Sequence, residues 1–162
     1  NPYRGFLYAG LMIGKNGHPR VIEYNCRLGD PEAQPILMRL KSDLAELCLA
    51  TLDGSLDNIS ADWDSRHAIG VVLASEGYPG RYQTSMPILG LDLESKEDTK
   101  IFHASTALKQ RNVVSSGGRV LCVTSMGENI AASRKRCYAE VKKIHFDGVT
   151  YRDDIGWRAF SR

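Results

Sequence analysis

The feature that most constrains the fold is a stretch, residues 21–28, in which apolar and polar side chains alternate. Read as a strand, it places Glu23, Asn25 and Arg27 on one face, because successive side chains of a strand point to opposite faces. The other face carries Ile22, Tyr24, Cys26 and Leu28. The pattern predicts a strand that packs through one face and presents a carboxylate, an amide and a guanidinium on the other.

The strand runs directly into Gly-Asp-Pro-Glu, residues 29–32, which predicts the start of a helix. Asp30 suits the N-cap, Pro31 the first helical position and Glu32 the first turn. A row of polar side chains that ends at a helix start can hold a hard cation beside phosphate or carboxylate groups.

A second strand is predicted just before this one. Asn16-Gly17 lies between two apolar runs, and Asn-Gly favours a tight hairpin turn because both of its central residues need positive φ. Residues 5–13 and 20–28 are therefore expected to pair as an antiparallel hairpin.

A second helix is predicted over residues 44–50, with Ser42 as its N-cap and Gly54 beyond its end. Four side chains recur at helical spacing and are expected in the core: Leu40, Leu44, Leu47 and Cys48. The polar, turn-rich segment 53–66 predicts a boundary between two subdomains.

The remainder of the chain has a β-rich pattern followed by one helix. Strands are expected at 68–74, 86–93, 100–108, 113–116 and 119–124, with a charged turn at 94–98. The helix is expected to run from Met126-Gly127 to about Ile144, burying Ile130, Cys137, Val141 and Ile144. Its basic residues are expected on a solvated face: Arg134, Lys135, Arg136, Lys142 and Lys143. The tail, residues 151–158, is expected to dock on the rest of the domain.

Composition excludes several classes of function. Lys plus Arg number 21 and Asp plus Glu 19, so a net charge of +2 gives no support for a nucleic-acid partner. No apolar run approaches the roughly 20 residues of a membrane helix, so no membrane partner is expected. The absence of a secretory signal favours a cytoplasmic protein. The chain begins without Met inside what looks like continuing structure, so we expect a fragment.

The four cysteines are scattered and form no CxxC pair: Cys26, Cys48, Cys122 and Cys137. Buried thiols in a reducing compartment are favoured over disulfides or a zinc site.

The stretch Glu23–Pro35 resembles the signature of the phosphoribosylamine–glycine ligase (glycinamide ribonucleotide synthetase) family. Four further segments resemble the family in the same order along the chain: 3–11, 77–80, 117–121 and 154–158. The resemblance covers essentially the whole chain.

The resemblance implies an α+β fold: the C-terminal end of an ATP-grasp core, residues 1–62, then a small β-rich C-terminal domain with a C-terminal helix, residues 63–162. It implies an ATP-dependent ligase of purine synthesis, in which glycine is phosphorylated and the amine of 5-phosphoribosylamine attacks the acyl phosphate. The N-terminal half of the enzyme, which carries other ATP-contacting residues in the family, is missing from this chain.

The resemblance also implies a metal site for Mg²⁺ or Mn²⁺ at Glu23 and Asn25. Many ATP-grasp enzymes place another carboxylate on the preceding strand; here that position falls at Gly10 or Leu11, and neither is a ligand. The metal would then depend more on Glu23, the nucleotide and the missing half.

Arg27 and the turn of residues 29–32, hereafter the signature turn, are expected to border the reacting carboxylate and phosphoribosylamine. Arg27 is the expected catalytic cation, neutralising charge that develops during phosphoryl and acyl transfer. Asp30 or Glu32 is expected to bind the ammonium group of glycine, although helix capping and a helix-dipole charge explain these two residues equally well.

Three further alternatives stay open at this point. Gly117-Gly118-Arg119 suits either a phosphate contact or a tight turn. The ligase could take another acid, as biotin carboxylase does. The isolated chain could also be a noncatalytic module, because it lacks the upstream half.

Overall fold

The structure is a computed structural model that describes residues 2–91 and 98–160. It divides the chain into two units. One comprises the residues up to Ala33 together with Leu40–Asp64, and the other comprises Gln34–Arg39 and the residues from Ser65 onward. The predicted domain boundary between residues 62 and 63 stays a prediction.

The first unit contains the predicted hairpin. Strands β1 (Tyr8–Ile13) and β2 (Pro19–Asn25) pair antiparallel, which confirms the predicted hairpin. The tight two-residue turn is wrong, because five residues, 14–18, join the strands and only Gly17 of the Asn-Gly pair has a positive φ, of 78°. Gly10 lies opposite Glu23, and a bulge separates Gly10 from Leu11.

The expectation that one face of β2 packs is wrong within this unit. Ile22 is 65% exposed and Tyr24 60% exposed. The reason is that β1 and β2 form a two-stranded sheet of their own, and the described residues of the unit supply no layer that covers its apolar face.

The first helix begins later than predicted. Helix α1 spans Ala33–Arg39, so Asp30 is not its N-cap and Pro31 is not its first residue. The backbone N–H of Ala33 donates to the carbonyl of Gly29 at 2.9 Å, and this bond closes a turn over the three residues between them. The turn uses the residues that the sequence pattern assigned to the helix.

Helix α2 (Leu44–Asp53) is capped by Asp43, not by Ser42. The Asp43 carboxylate accepts from the N–H groups of Ala45 and Glu46, whereas the Ser42 hydroxyl accepts from the N–H of Asp62. Gly54 ends the helix in the left-handed conformation, with φ of 73°, as predicted.

The predicted core of this region is not deeply buried. Leu44 is 36% exposed, and Leu40, Leu47 and Cys48 are half-buried. The buried residue of α2 is Ala50.

The second unit is built on a four-stranded antiparallel sheet of order β4-β7-β3-β8. Its strands are β3 (His67–Ser75), β4 (Thr99–His103), β7 (Arg119–Gly127) and β8 (Val149–Thr150). A separate hairpin pairs β5 (Thr106–Lys109) with β6 (Asn112–Ser115). The strands expected at 68–74, 113–116 and 119–124 are confirmed, while the segment 100–108 forms two strands.

The strand expected at 86–93 is wrong for its described part, which makes only the isolated pairings Pro87 with Val114 and Leu89 with His145. Residues 92–97, which include most of the charged turn predicted at 94–98, lie outside the described residues.

Helix α3 (Ile130–Val141) begins four residues after the predicted start. Met126 and Gly127 belong to β7, because that strand continues to pair with β3 as far as the His67–Gly127 pair. Asn129 then caps the helix by accepting from the N–H of Ala132 at 2.9 Å.

The core of the second unit lies between α3 and the strands β3 and β7. Its fully buried side chains include Val71, Leu73, Val123, Cys137 and Val141. Cys137 and Val141 come from the predicted apolar side of the helix, Ile144 is buried beyond its end, and Ile130 packs against the cluster.

The predicted solvated basic face is only partly correct. Lys135 is exposed, but Arg134 is half-buried and donates to the backbone carbonyls of Asp153 and Ile155. The hydroxyl of Tyr138 donates to the carbonyl of Arg152 at 2.7 Å. These bonds confirm the docked tail.

The thiols also differ from the expectation. Cys122 and Cys137 are buried, and burial raises the pKa of Cys137 to about 12. Cys48 is half-buried. Cys26 is exposed, like Ile22 and Tyr24, with which it was expected to share a packed face. No helix in the described part of the chain is long and apolar enough to cross a membrane.

We expect Asn129→Ala to lower the free energy of unfolding by about 1 kcal/mol, because the N–H of Ala132 loses its acceptor. Equilibrium urea unfolding measures the change. Asn129→Asp is the matched control, since aspartate caps as well as asparagine. Equal losses in both variants would contradict the capping role.

Candidate active site

The polar row of β2 begins with two side chains on one face of the hairpin. Glu23 lies opposite Gly10, and Asn25 lies opposite Tyr8. A Cβ on Gly10 would come within 3.1 Å of the Glu23 Cγ, so the glutamate side chain passes directly over this glycine. Because residues directly opposite one another in an antiparallel pair share a face, Tyr8 stands on the face that carries Asn25.

The prediction that Arg27 shares the strand face of Glu23 and Asn25 is wrong, because β2 ends at Asn25 and Arg27 follows it in a bend. Its Nη1 donates to the carbonyl of Leu28 at 2.8 Å, and its side chain is exposed. The bond is local and holds the guanidinium next to the signature turn.

The turn after β2 is closed around a glycine without room for a side chain. A Cβ on Gly29 would lie 2.4 Å from the Glu32 Oε2 and 2.9 Å from the Tyr8 ring. The Tyr8 hydroxyl donates to the Glu32 Oε1 at 3.3 Å. Tyr8, Gly29 and Glu32 therefore form one packed cluster, hereafter the turn cluster.

The two candidate carboxylates differ in their surroundings. Glu32 is half-buried within the turn cluster, whereas Asp30 is exposed. The structure brings Glu32 against Tyr8, a side chain of the hairpin.

Tyr8 is the residue that sequence reasoning missed. The signal was present in the predicted hairpin, because the pairing of the two strands places Tyr8 beside Asn25. Its contact with Glu32 spans 24 residues along the chain and depends on the geometry of the turn.

Glu32 also dominates the electrostatics of Tyr8. The charge of Glu32 raises the pKa of Tyr8 above its ordinary value, and partial burial, the hydrogen bond to Glu32 and the charge of Glu23 raise it further. A phenolate beside a carboxylate is unfavourable, so Tyr8 keeps its proton at neutral pH and serves as a donor.

The side chains of Glu23 and Asn25 have the right ligand atoms for a hard cation, but two ligands do not complete its coordination. Both supply oxygen, which Mg²⁺ and Mn²⁺ prefer. The described residues contain no group of three or more His, Cys, Asp or Glu side chains that could hold a metal ion. Two oxygen ligands fit an ion that takes its other ligands from phosphates, water and other parts of an enzyme.

The Gly117-Gly118 pair is explained by packing. A Cβ on Gly118 would lie 2.0 Å from the Tyr78 ring, and one on Gly117 would lie 2.6 Å from Ser105. The carbonyls of Gly117 and Gly118 accept from the hydroxyl and the N–H of Ser75. These contacts favour the tight-turn interpretation over a phosphate contact.

Solved structures place this fold in a class. Biotin carboxylase from Campylobacter jejuni superposes with a TM-score of 0.65, covering 99% of this chain and 36% of that one, at 13% identity, which is evidence of fold alone. The model of the phosphoribosylglycinamide synthetase ATP-grasp (A) domain matches residues 1–33. The chain thus contains the end of an ATP-grasp core.

The particular family follows from the rest of the chain. The model of the phosphoribosylglycinamide synthetase C domain matches residues 68–158. The chain therefore belongs to the phosphoribosylglycinamide synthetase family, which confirms the resemblance drawn from the signature.

Relatives agree along the whole chain. Phosphoribosylamine–glycine ligases from Escherichia coli O157:H7 and Salmonella typhimurium are 58% and 56% identical to it over 100% of its length. The chain spans 38% of the length of each. The solved phosphoribosylamine–glycine ligase from Thermotoga maritima has a TM-score of 0.79 at 37% identity, covering 94% of this chain and 37% of that one.

We expect Glu32→Gln to lower the pKa of Tyr8, because the variant removes the negative charge that most opposes the phenolate. A pH titration of ¹³C-labelled tyrosine by NMR measures it, with Tyr8→Phe identifying the signal. Glu23→Gln is the control and should lower this pKa less. A Tyr8 pKa unchanged by Glu32→Gln would contradict the contact.

Proposed function

We propose that this chain is the C-terminal portion of an ATP-dependent ligase that joins glycine to 5-phosphoribosylamine. The products are glycinamide ribonucleotide, ADP and phosphate, a step of de novo purine synthesis. The observation that carries the proposal is the identity of 58% to a phosphoribosylamine–glycine ligase across the whole chain, including the signature stretch.

The reaction has two steps. An oxygen of the glycine carboxylate attacks the γ-phosphorus of ATP, which forms glycyl phosphate and releases ADP. The amine of phosphoribosylamine then attacks the acyl carbon, phosphate leaves, and the nitrogen loses a proton. No protein nucleophile is needed, so catalysis comes from positioning and from neutralising charge.

The polar residues of β2 and of the turn after it each have a role in this scheme. Glu23 and Asn25 would hold Mg²⁺ or Mn²⁺, which supplies neutralisation of the nucleotide phosphates. Arg27, exposed beside the turn, offers a guanidinium to the charge that develops on the transferred phosphoryl group. Asp30 and Glu32 offer carboxylates to the ammonium group of glycine.

The remainder of the enzyme is the expected partner. We place the end of the ATP-grasp domain at residues 1–62 and the C-terminal domain at 63–162. In support, the first unit exposes large apolar side chains, and Phe6, Leu47 and Leu52 line an apolar groove of about 410 Å³. An N-terminal half that completes the ATP-grasp core would cover such surface.

A soluble metabolic ligase of this kind would act in the cytoplasm.

The decisive experiment is glycine-dependent ADP formation by the full-length enzyme, with phosphoribosylamine supplied. ADP formation that requires both substrates supports the proposal. ADP formation indifferent to glycine would keep the ATP-grasp class but give the enzyme another acid as substrate, as in biotin carboxylase.

We expect Glu23→Gln in the full-length enzyme to lower kcat at a fixed Mg²⁺ concentration by at least about tenfold, because loss of one carboxylate ligand weakens the metal site. Raising the Mg²⁺ concentration should restore part of the rate. Glu46→Gln, which changes an exposed carboxylate on α2, is the matched control. An unchanged dependence on Mg²⁺ in Glu23→Gln would remove Glu23 from the metal site.

We also expect the isolated 162-residue chain to form no ADP, because it spans only 38% of its relatives' length. The measurement compares it with the same chain carrying Glu23→Ala. Turnover above that control would show that the upstream half is dispensable.

A further inference from the structure

We propose that Tyr8 is a positioning residue, whose hydroxyl orients the carboxylate of Glu32 as the group that binds the ammonium of glycine. The inference rests on the proposed function and deepens it, because it chooses between the two carboxylates of the signature turn and adds a residue outside the signature.

The contact joins two elements that are far apart in sequence. Tyr8 begins β1, and Glu32 is the last residue of the turn before α1. The donor–acceptor distance of 3.3 Å places the Tyr8 hydroxyl on the Glu32 Oε1. The hydroxyl is the donor of this bond, because an ionised carboxylate can only accept.

Gly29 restricts the carboxylate from the other side. The Glu32 Oε2 lies 2.4 Å from the position of a Gly29 Cβ, and the Tyr8 ring lies 2.9 Å from that same position. One oxygen of Glu32 is therefore tied to the hydroxyl while the other lies over the glycine. The glycine leaves room for the second oxygen, and the bond to the Tyr8 hydroxyl restricts the rotamers of Glu32, so less conformational entropy is lost when a ligand binds.

The arrangement leaves acceptor capacity for a ligand. A carboxylate offers about four lone-pair sites, and one hydroxyl uses one of them. An ammonium group carries three N–H donors and a full positive charge, which matches the remaining sites and the charge of Glu32. Asp30 is exposed, whereas Glu32 is half-buried in the turn cluster.

Tyr8 also lies beside Asn25, one of the two proposed metal ligands. It pairs with Asn25 across the hairpin, so Tyr8 and Asn25 share one face. The ammonium-binding carboxylate is thereby fixed to the same strand pair that carries Glu23 and Asn25. Glycine held at Glu32 would have its amino end fixed relative to that row.

The test uses steady-state kinetics of the full-length enzyme. We expect Tyr8→Phe to raise the KM for glycine by about five- to tenfold, the effect of losing one hydrogen bond of ordinary strength. The KM for ATP should stay within about twofold, because the hydroxyl does not act through the nucleotide. Phenylalanine keeps the ring against Gly29, so the variant preserves the packing of the turn cluster.

Two matched controls remove a hydroxyl from the same unit. Tyr3→Phe loses bonds to the carbonyls of Phe6 and Cys26, and Tyr24→Phe changes an exposed ring on β2. Both should keep the wild-type KM for glycine, even where Tyr3→Phe lowers stability.

A double-mutant cycle separates positioning from a general structural effect. In a Glu32→Ala background, Tyr8→Phe should change the KM for glycine no further, whereas Asp30→Asn should leave the Tyr8→Phe effect intact. Tyr8→Phe with a wild-type KM for glycine would overturn the inference, as would equal rises in the KM for glycine and for ATP. A wild-type enzyme without glycine-dependent ADP formation would overturn the proposed function itself, which distinguishes the two failures.

Discussion

The close approach at Gly29 is the constraint on which the candidate site depends. The absence of a Cβ there lets the Tyr8 ring and the Glu32 carboxylate meet over the same backbone position. The turn that begins at Gly29 also fixes where α1 starts, through the bond from the Ala33 N–H to the Gly29 carbonyl. The missing side chain at Gly29 thus lets Tyr8 of β1 meet Glu32 of the turn.

A ring also packs closely over a glycine in the second unit. Gly118 lies under the Tyr78 ring and accepts from Ser75, which anchors the loop after β3 to the start of β7. Here the glycine serves packing, because β7 is buried along almost its full length and α3 covers it. Because packing explains both glycines, a glycine pair followed by arginine is weak evidence for a phosphate site.

The two units also differ in how much of their apolar surface is buried by their own residues. The second unit closes a core of fully buried aliphatic side chains around Val71, Leu73 and Val123. The first unit leaves Ile22 and Tyr24 on an open hairpin face. A hairpin that is exposed on its apolar face gains little from its own packing. This agrees with a family in which the same segment is the end of a larger core.

Local chemistry was sufficient for much of the fold and of the site. The sequence by itself determined the hairpin, the end of α2 before Gly54 and most of the strand β7, because turn residues and alternation act over a few positions. It left Gly10 and Leu11 as alternatives on the preceding strand, and the structure places Gly10 opposite Glu23. Family resemblance added the metal, catalytic and substrate roles of the polar row, which stay proposals. Only the tertiary structure decided that β7 continues to Gly127 and delays α3 to Ile130, and that Tyr8 meets Glu32. Each of these depends on a strand or a side chain from elsewhere in the chain, so no short sequence window contains both partners. The start of α1 at Ala33 depends instead on a local turn from Gly29, which replaces the helix start that the residue types favour.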